Sequence, residues 1–292
     1  MKKGKKYWFN YLIFVGPVLL SFILFYIIPV ILGFLYSLYD WNGISSNKVF
    51  VGMQNYIKLF TEDENYWISL KFSVKYAIAS VVLVNVISML MALWVNSKLR
   101  CSVFLRSCFF LPNVLCAVIT GMLWKFVFNQ IGPGLANATG ISLFGYKLLS
   151  SPSTAWIAVL LVVLWQSCGY NMVIYIAGLV SIEPVYYESA AIDGAGRVRS
   201  FFSITLPLMM PSITITLFNT IAGAFRMFDI NLSLTGGGPG RSTQGLALDV
   251  WKTAFSENRM GYGQAKAVIL LVIVITIALI QTSVTRKKEV EM

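Results

Sequence analysis

Polar side chains are scarce in this chain, in which 57% of the 292 residues are hydrophobic and 12% charged, so those inside apolar runs need a reason. Asn85, Trp165, Gln166, Asn171, Arg226 and Asp229 are the residues best suited to handling a polar solute. Gln166 and Asn171 carry amides that can hydrogen-bond the hydroxyls of a sugar, and Trp165 offers a stacking face. Each amide, Asn85 included, also has a plainer explanation, because polar groups in membrane helices commonly bond a neighbouring helix. Arg226 and Asp229 are three residues apart; on one helix they share a face and either pair or line a passage. Histidine is absent, which removes the commonest acid–base group and metal ligand. Cys101, Cys108, Cys116 and Cys168 lack metal-ligand spacing and read as small apolar packing residues. The sequence has no phosphate-binding Gly-x-x-x-x-Gly-Lys-Ser/Thr, no acidic cluster for magnesium and no carboxylate relay for proton coupling. We therefore expect no catalytic residue, no metal site and no cofactor bound by this chain.

The elements that must position these residues are apolar runs of about 20 residues, the length needed to cross a bilayer as a helix. Six occur, at about 11–36, 72–97, 103–124, 155–180, 207–229 and 265–284. With a mean hydropathy of +0.73, the expectation is an all-α integral membrane protein, residues 1–292 forming a single transmembrane domain. The formal charge of +11 fits topology better than nucleic-acid binding. With both termini inside, the inner segments carry Lys2, Lys3, Lys5, Lys6, Lys98, Arg100, Arg106, Arg197, Arg199, Arg286, Lys287 and Lys288, as the positive-inside rule requires. The first run is expected to be an uncleaved span bent at Pro17 and Pro29. Tyr39, Trp41, Tyr56, Tyr66 and Trp67, in a first outer loop of about 37–71, suit an interfacial aromatic belt. Lys75 can snorkel outward. Pro112 interrupts the third span. Gly132, Pro133, Gly134, Asn137 and Gly140 are expected to form an irregular glycine-rich outer loop.

Residues 181–211 form the long polar interruption. Pro184 suits the first position of a helix, and Gly194 supplies a left-handed stop. A second short helix runs through Phe201 and Phe202 to Leu206, with Pro207 and Pro211 opening the next span. Ser189, Ala190, Ala191, Gly194 and Ala195 give a smooth knob that a partner can approach closely; Val185, Ser189 and Ile192 fall on one face, and Glu188 and Asp193 sit on the polar side. Farther on, Leu234-Thr235-Gly236-Gly237-Gly238-Pro239 forces a tight non-helical turn.

The run Glu188-Ser-Ala-Ala-Ile-Asp193-Gly194-Ala195, followed by Ile204-x-Leu206-Pro207, closely resembles the Glu-Ala-Ala … Asp-Gly-Ala … Ile-x-Leu-Pro signature of ABC-importer permeases. The departure within it is Ser189 in place of the usual alanine. Gly52-x-x-Asn55-Tyr56, Phe110-Leu111-Pro112 with Trp124-Lys125, and the Leu234–Pro239 turn also resemble the carbohydrate-uptake group, the maltose and glycerol-phosphate permeases. The resemblance implies a type I importer fold with six spans, cytoplasmic termini and a coupling-helix loop at 181–206, in a bacterial or archaeal plasma membrane. It implies an ATPase contact at Glu188, Ala190, Ala191, Asp193 and Gly194, and an outer loop at Gly237, Gly238 and Pro239 that touches a binding protein. The implied partners are a second related permease, two ATPase subunits that hold the ATP and magnesium, and an extracytoplasmic solute-binding protein. The implied function is uptake of a sugar, with an oligosaccharide favoured over glycerol 3-phosphate because only Arg226 could clamp a phosphate within the membrane. The alternatives are a stand-alone secondary carrier, against which the lack of internal repeats speaks, and a membrane enzyme, against which the lack of catalytic groups speaks.

Overall fold

A computed structural model describes residues 13–97, 101–139, 148–287 and 289. The expected start of the first span at 11, and Lys2, Lys3, Lys5, Lys6, Lys98, Arg100, Gly140, Lys288 and the side chain of Asn137, lie outside the described residues. Helices dominate: α1 (Ile13–Tyr36), α2 (Gln54–Thr61), α3 (Glu64–Val95), α4 (Ser102–Val114), α5 (Ala117–Phe126), α6 (Pro152–Val180), α7 (Pro184–Ile192), α8 (Arg197–Leu208), α9 (Met210–Phe225), α10 (Asp229–Leu234), α11 (Leu246–Trp251) and α12 (Met260–Arg286). A short antiparallel pair, β1 (Tyr39–Asp40) and β2 (Val49–Phe50), sets Tyr39 opposite Phe50. Four helices (α1, α3, α6 and α12) are long and apolar enough to cross a membrane; the count reaches six if the bent pairs α4–α5 and α8–α9 are each one span.

Several boundaries differ from expectation. Helix α3 begins at Glu64 rather than 72, because Tyr66, Ser69 and Ser73 already bury their side chains there, so the first loop ends near 63. The third run is not one helix: the chain breaks at Leu115–Cys116 and turns through 95°, just beyond Pro112. The fifth run stops at Phe225, not 229, and α8 runs through Pro207 to Leu208 before a 68° bend at Met209. Tyr56 and Tyr66 are buried rather than belted at a surface. Cys168 is buried, but Cys101, Cys108 and Cys116 are exposed on this chain. The Lys75 ammonium lies 3.8 Å from the centre of the Trp156 ring. In α1 the distortion is a π turn at Ile23–Ile27, two residues before Pro29. Gly132–Thr139 is helical rather than an irregular loop, its glycines and proline falling in the first turn, where proline is tolerated.

The contacts group the chain into two compact units. One comprises Met1–Asp63 with Val250–Leu271. Here Asn55 Nδ2 donates to the carbonyls of Ser37 (2.8 Å) and Tyr39 (3.1 Å), and the Tyr56 and Ser37 hydroxyls bond at 2.6 Å. These bonds satisfy carbonyls freed where α1 ends, and give the Gly52-x-x-Asn55-Tyr56 run its physical purpose. A Cβ at Gly261 would strike the Tyr39 carbonyl, so that glycine permits a close backbone approach. Deeper in the unit, Lys266 Nζ pairs with Asp63 Oδ2 at 2.8 Å and donates to Thr253 Oγ1 at 3.0 Å, while the Tyr262 hydroxyl donates to Asp63 at 2.8 Å.

The other unit, Glu64–Asp249 with Val272–Met292, packs α3 against α6 and α9, α4 against α6, and α5 against α10. Its core gathers Ala92, Val95, Met172, Tyr175, Ile176, Leu179, Ile182 and Met209. Small residues set the helix spacing, as membrane packing favours. A Cβ at Gly169 would collide with the Phe109 carbonyl, and one at Gly178 or Gly121 with Ser212 or Ser233.

Candidate functional site

Two features of the larger unit stand out: a cavity and a knob. The cavity, of about 270 Å³, lies among α3, α4, α5, α6, α9 and α10, just below the 300–1,000 Å³ usual for small-molecule pockets. Its wall is rich in neutral hydrogen-bonding groups, notably Asn113, Ser167, Tyr170, Asn171, Asn219 and Thr220. Asn171 is 1% exposed; its Nδ2 donates to the Ser167 carbonyl at 2.9 Å, while its Oδ1 is a buried acceptor with no partner. An unpaired buried acceptor costs about 1–3 kcal/mol.

Arg226 and Asp229 also line this cavity, but they do not share a helix face. Phe225 ends α9, Arg226 follows as its cap, Met227 and Phe228 form a break, and Asp229 opens α10. Arg226 Nε donates back to the Ala222 carbonyl at 3.2 Å. No ion pair joins Arg226 to Asp229 among the described residues. The i,i+3 expectation fails because it presumed a continuous helix.

The remaining expected pathway residues lie outside the cavity wall. Asn85 Nδ2 donates to Thr220 Oγ1 at 3.0 Å, its Oδ1 accepts from the Tyr175 hydroxyl at 2.6 Å, and Thr216 donates to that hydroxyl at 2.7 Å. This cluster ties α3, α6 and α9 together. Gln166 Nε2 donates to the Leu115 carbonyl at 3.0 Å, a carbonyl freed by the α4–α5 break. Trp165 sets its ring edge-on to Trp124 at 5.5 Å. The sequence reading missed Asn113, Ser167 and Asn219, although polar residues within apolar runs were the signal that would have found them.

The knob is built as its residues dictate. Glu183 takes an extended conformation before Pro184, which fills the first position of α7 without losing a helical hydrogen bond. At the other end Gly194 has φ +73°, the Ala195 amide donates to the Ala190 carbonyl at 2.9 Å and the Gly194 amide to Ala191 at 3.1 Å. This is the paired closure of a Schellman motif, which needs a residue tolerant of left-handed φ at that position. Beneath the knob, Ile182 is buried and the Tyr187 hydroxyl bonds Thr205 Oγ1 at 3.0 Å, with a π turn at Phe201–Thr205 in α8. No side chain of α7 is buried, and Ile192, Val198 and Phe202 are 87%, 72% and 62% exposed. Glu188, Ala191, Asp193 and Gly194 are exposed and Ala190 half-buried.

The turn at 235–245 is ordered by its own hydrogen bonds. Gly236 and Gly237 have positive φ, and the Gly238–Pro239 peptide bond is cis. Asn231, fully buried, donates to the Thr243 carbonyl at 2.6 Å and accepts from the Gly245 amide at 3.1 Å. Thr243 Oγ1 donates to the Gly238 carbonyl at 2.7 Å, and Gln244 to Asp249 at 2.7 Å.

Long apolar helices, a polar cavity between them and a glycine-capped exposed knob define a helical membrane permease. Residues 67–290 match the family described as "Binding-protein-dependent transport system inner membrane component". The chain is 41% identical over 291 residues to the probable starch degradation products transport system permease protein AmyD of Thermoanaerobacterium thermosulfurigenes, covering 100% of this chain and 97% of that one. It is 34% identical over 285 residues to the multiple sugar-binding transport system permease protein MsmF of Streptococcus mutans, covering 98% and 97%. The bacterial alginate ABC transporter, solved in complex with an alginate pentasaccharide-bound periplasmic protein, shares the fold with a TM-score of 0.82 at 20% identity, over 98% of this chain and 96% of that one. The chain belongs to the binding-protein-dependent transport inner membrane component family, as a permease of the carbohydrate-uptake ABC importers.

Proposed function

We propose that this chain is one of two related permease subunits of an importer that takes up an oligosaccharide delivered by an extracytoplasmic binding protein. In this reading it crosses the membrane six times, each bent pair forming one span, with both termini in the cytoplasm. Two partner ATPases, which hold the ATP and magnesium, dock on the knob through Glu188, Ala190, Ala191, Asp193 and Gly194, and their closure rocks the spans. The loop carrying Gly237, Gly238 and Pro239 faces the binding protein.

The observation that carries the substrate reading is the cavity wall of neutral amides and hydroxyls, Asn113, Ser167, Asn171, Asn219 and Thr220 among them. Such a wall suits the many hydroxyls of a neutral sugar. A phosphorylated polyol would meet Arg226 together with the carboxylate of Asp229, a poor clamp for a phosphate. AmyD and MsmF, whose names specify starch products and multiple sugars, support the same class.

The test is reconstitution of the purified native complex in proteoliposomes with its binding protein. Oligosaccharides should stimulate ATP hydrolysis and accumulate inside, and glycerol 3-phosphate should not. Stimulation by glycerol 3-phosphate alone, or uptake by this chain without any companion subunit, would overturn the proposal.

A further inference from the structure

Helix α2 carries three distinct strips along its length. Asn55, Tyr56 and Leu59 are buried and form its protein-facing strip. At 100° per residue, Met53 at the N-cap, Ile57 and Phe60 fall on a second strip, and these apolar side chains are 60%, 61% and 45% exposed. Gln54, Lys58 and Thr61 form a third strip, polar and exposed. An ordinary surface helix needs two strips, one for the core and one for water. A third, apolar and largely exposed, needs another solvent.

The depth of α2 along the first span identifies that solvent. Its protein-facing strip is bonded to the place where α1 ends: Asn55 holds the Ser37 and Tyr39 carbonyls, and Tyr56 holds the Ser37 hydroxyl. Helix α1 has 24 residues, about 36 Å of rise, against a hydrocarbon thickness of about 30 Å, and none of its apolar window is buried. The end of α1 therefore lies at the boundary between acyl chains and headgroups. Aromatic and lysine side chains of the kind enriched at that boundary cluster there: the Lys48 ammonium lies 4.5 Å and 4.4 Å from the ring centres of Tyr36 and Trp41.

We infer that α2 is an interfacial helix, lying along the membrane surface with Met53, Ile57 and Phe60 in the acyl boundary and Gln54, Lys58 and Thr61 in water. The occupant of its exposed apolar face is lipid, continuous with the lipid around α1. In this arrangement the helix holds the end of the first span at a fixed depth. The inference rests on the chain being a membrane permease, but not on which solute it carries.

The test uses the assembled importer in proteoliposomes, with Cys101, Cys108, Cys116 and Cys168 replaced by alanine and one nitroxide-labelled cysteine placed in turn at 53, 54, 57, 58, 60 and 61. The ratio of collisions with oxygen to collisions with a water-soluble nickel chelate should be several-fold higher at 53, 57 and 60 than at 54, 58 and 61. Equal ratios on both strips would place the helix in water, and exclusion of both reagents at 53, 57 and 60 would place a protein against it; either result overturns the inference. A photoreactive phenylalanine analogue at position 60, with the native cysteines retained, supplies a second measurement. Lipid adducts are expected there, and adducts to protein subunits alone would refute the assignment. Assembly and sugar-stimulated ATP hydrolysis, recorded on the same samples, separate a failure of this inference from a failure of the transport reading.

Discussion

Consider Gly194→Val. The φ of +73° at this position costs an L-residue about 1–2 kcal/mol. No atom lies within 4 Å of where a Cβ would sit, so no clash adds to it. The chain could instead leave the left-handed turn and forfeit the two closing bonds, at 2.9 and 3.1 Å, worth about 0.5–1.5 kcal/mol each. Either route costs on the order of 1–3 kcal/mol, all of it in an element that buries no side chain. The thermal transition of the purified complex should therefore barely move. If the ATPases dock on the knob, the displaced helix end should lower sugar-stimulated uptake about tenfold, the equivalent of 1.4 kcal/mol. Gly194→Asn is the control, because asparagine adopts left-handed φ most readily after glycine. It should retain most of the uptake. Uptake and ATP hydrolysis measured together in proteoliposomes decide the matter. Normal uptake in the valine variant would remove the knob from the coupling path, and equal damage from asparagine and valine would refute the strain argument.

Further expectations follow from the hydrogen bonds. Asn171→Leu removes the unpartnered acceptor while breaking only a bond within its own helix; sugar uptake should fall about tenfold with the melting temperature little changed. Gln166→Leu strands the Leu115 carbonyl at the α4–α5 bend and should destabilise the permease by about 1–3 kcal/mol, read as earlier thermal unfolding in detergent. Lys266→Met leaves the largely buried Asp63 without its ammonium partner, a loss of about 3–5 kcal/mol, and adding Asp63→Asn should restore part of the lost melting temperature.

What the sequence disclosed depended on how local the cause was. Pro184 and Gly194 bracket α7 because the bond-free first position and the left-handed stop are properties of single residues. The long spans were legible from hydropathy for the same reason. The third-span bend was legible only in part: Pro112 announces an interruption, but the turn falls at Leu115–Cys116, where the freed carbonyl is satisfied by Gln166, on another helix. Arg226 and Asp229 line the cavity, but a shared helix face was expected of them because the break at Met227–Phe228 carries no local sequence signal. The Asp63–Lys266 pair and the Asn231–Thr243 turn arise from tertiary neighbours, which no local pattern encodes. Asn85, Gln166 and Asn171 looked alike in sequence, and only their bonding partners separate the two that join helices from the one that faces the cavity.

Thr220 belongs at once to the cavity wall and to the cluster joining Asn85, Tyr175 and Thr216. Retuning this permease for a new solute is therefore constrained unevenly. Exchanges at Asn113 or Asn219 alter the lining without touching that cluster, whereas an exchange at Thr220 also loosens the seam between α3 and α9. Divergent relatives, and directed-evolution libraries, should accumulate change at the first pair of positions long before the third.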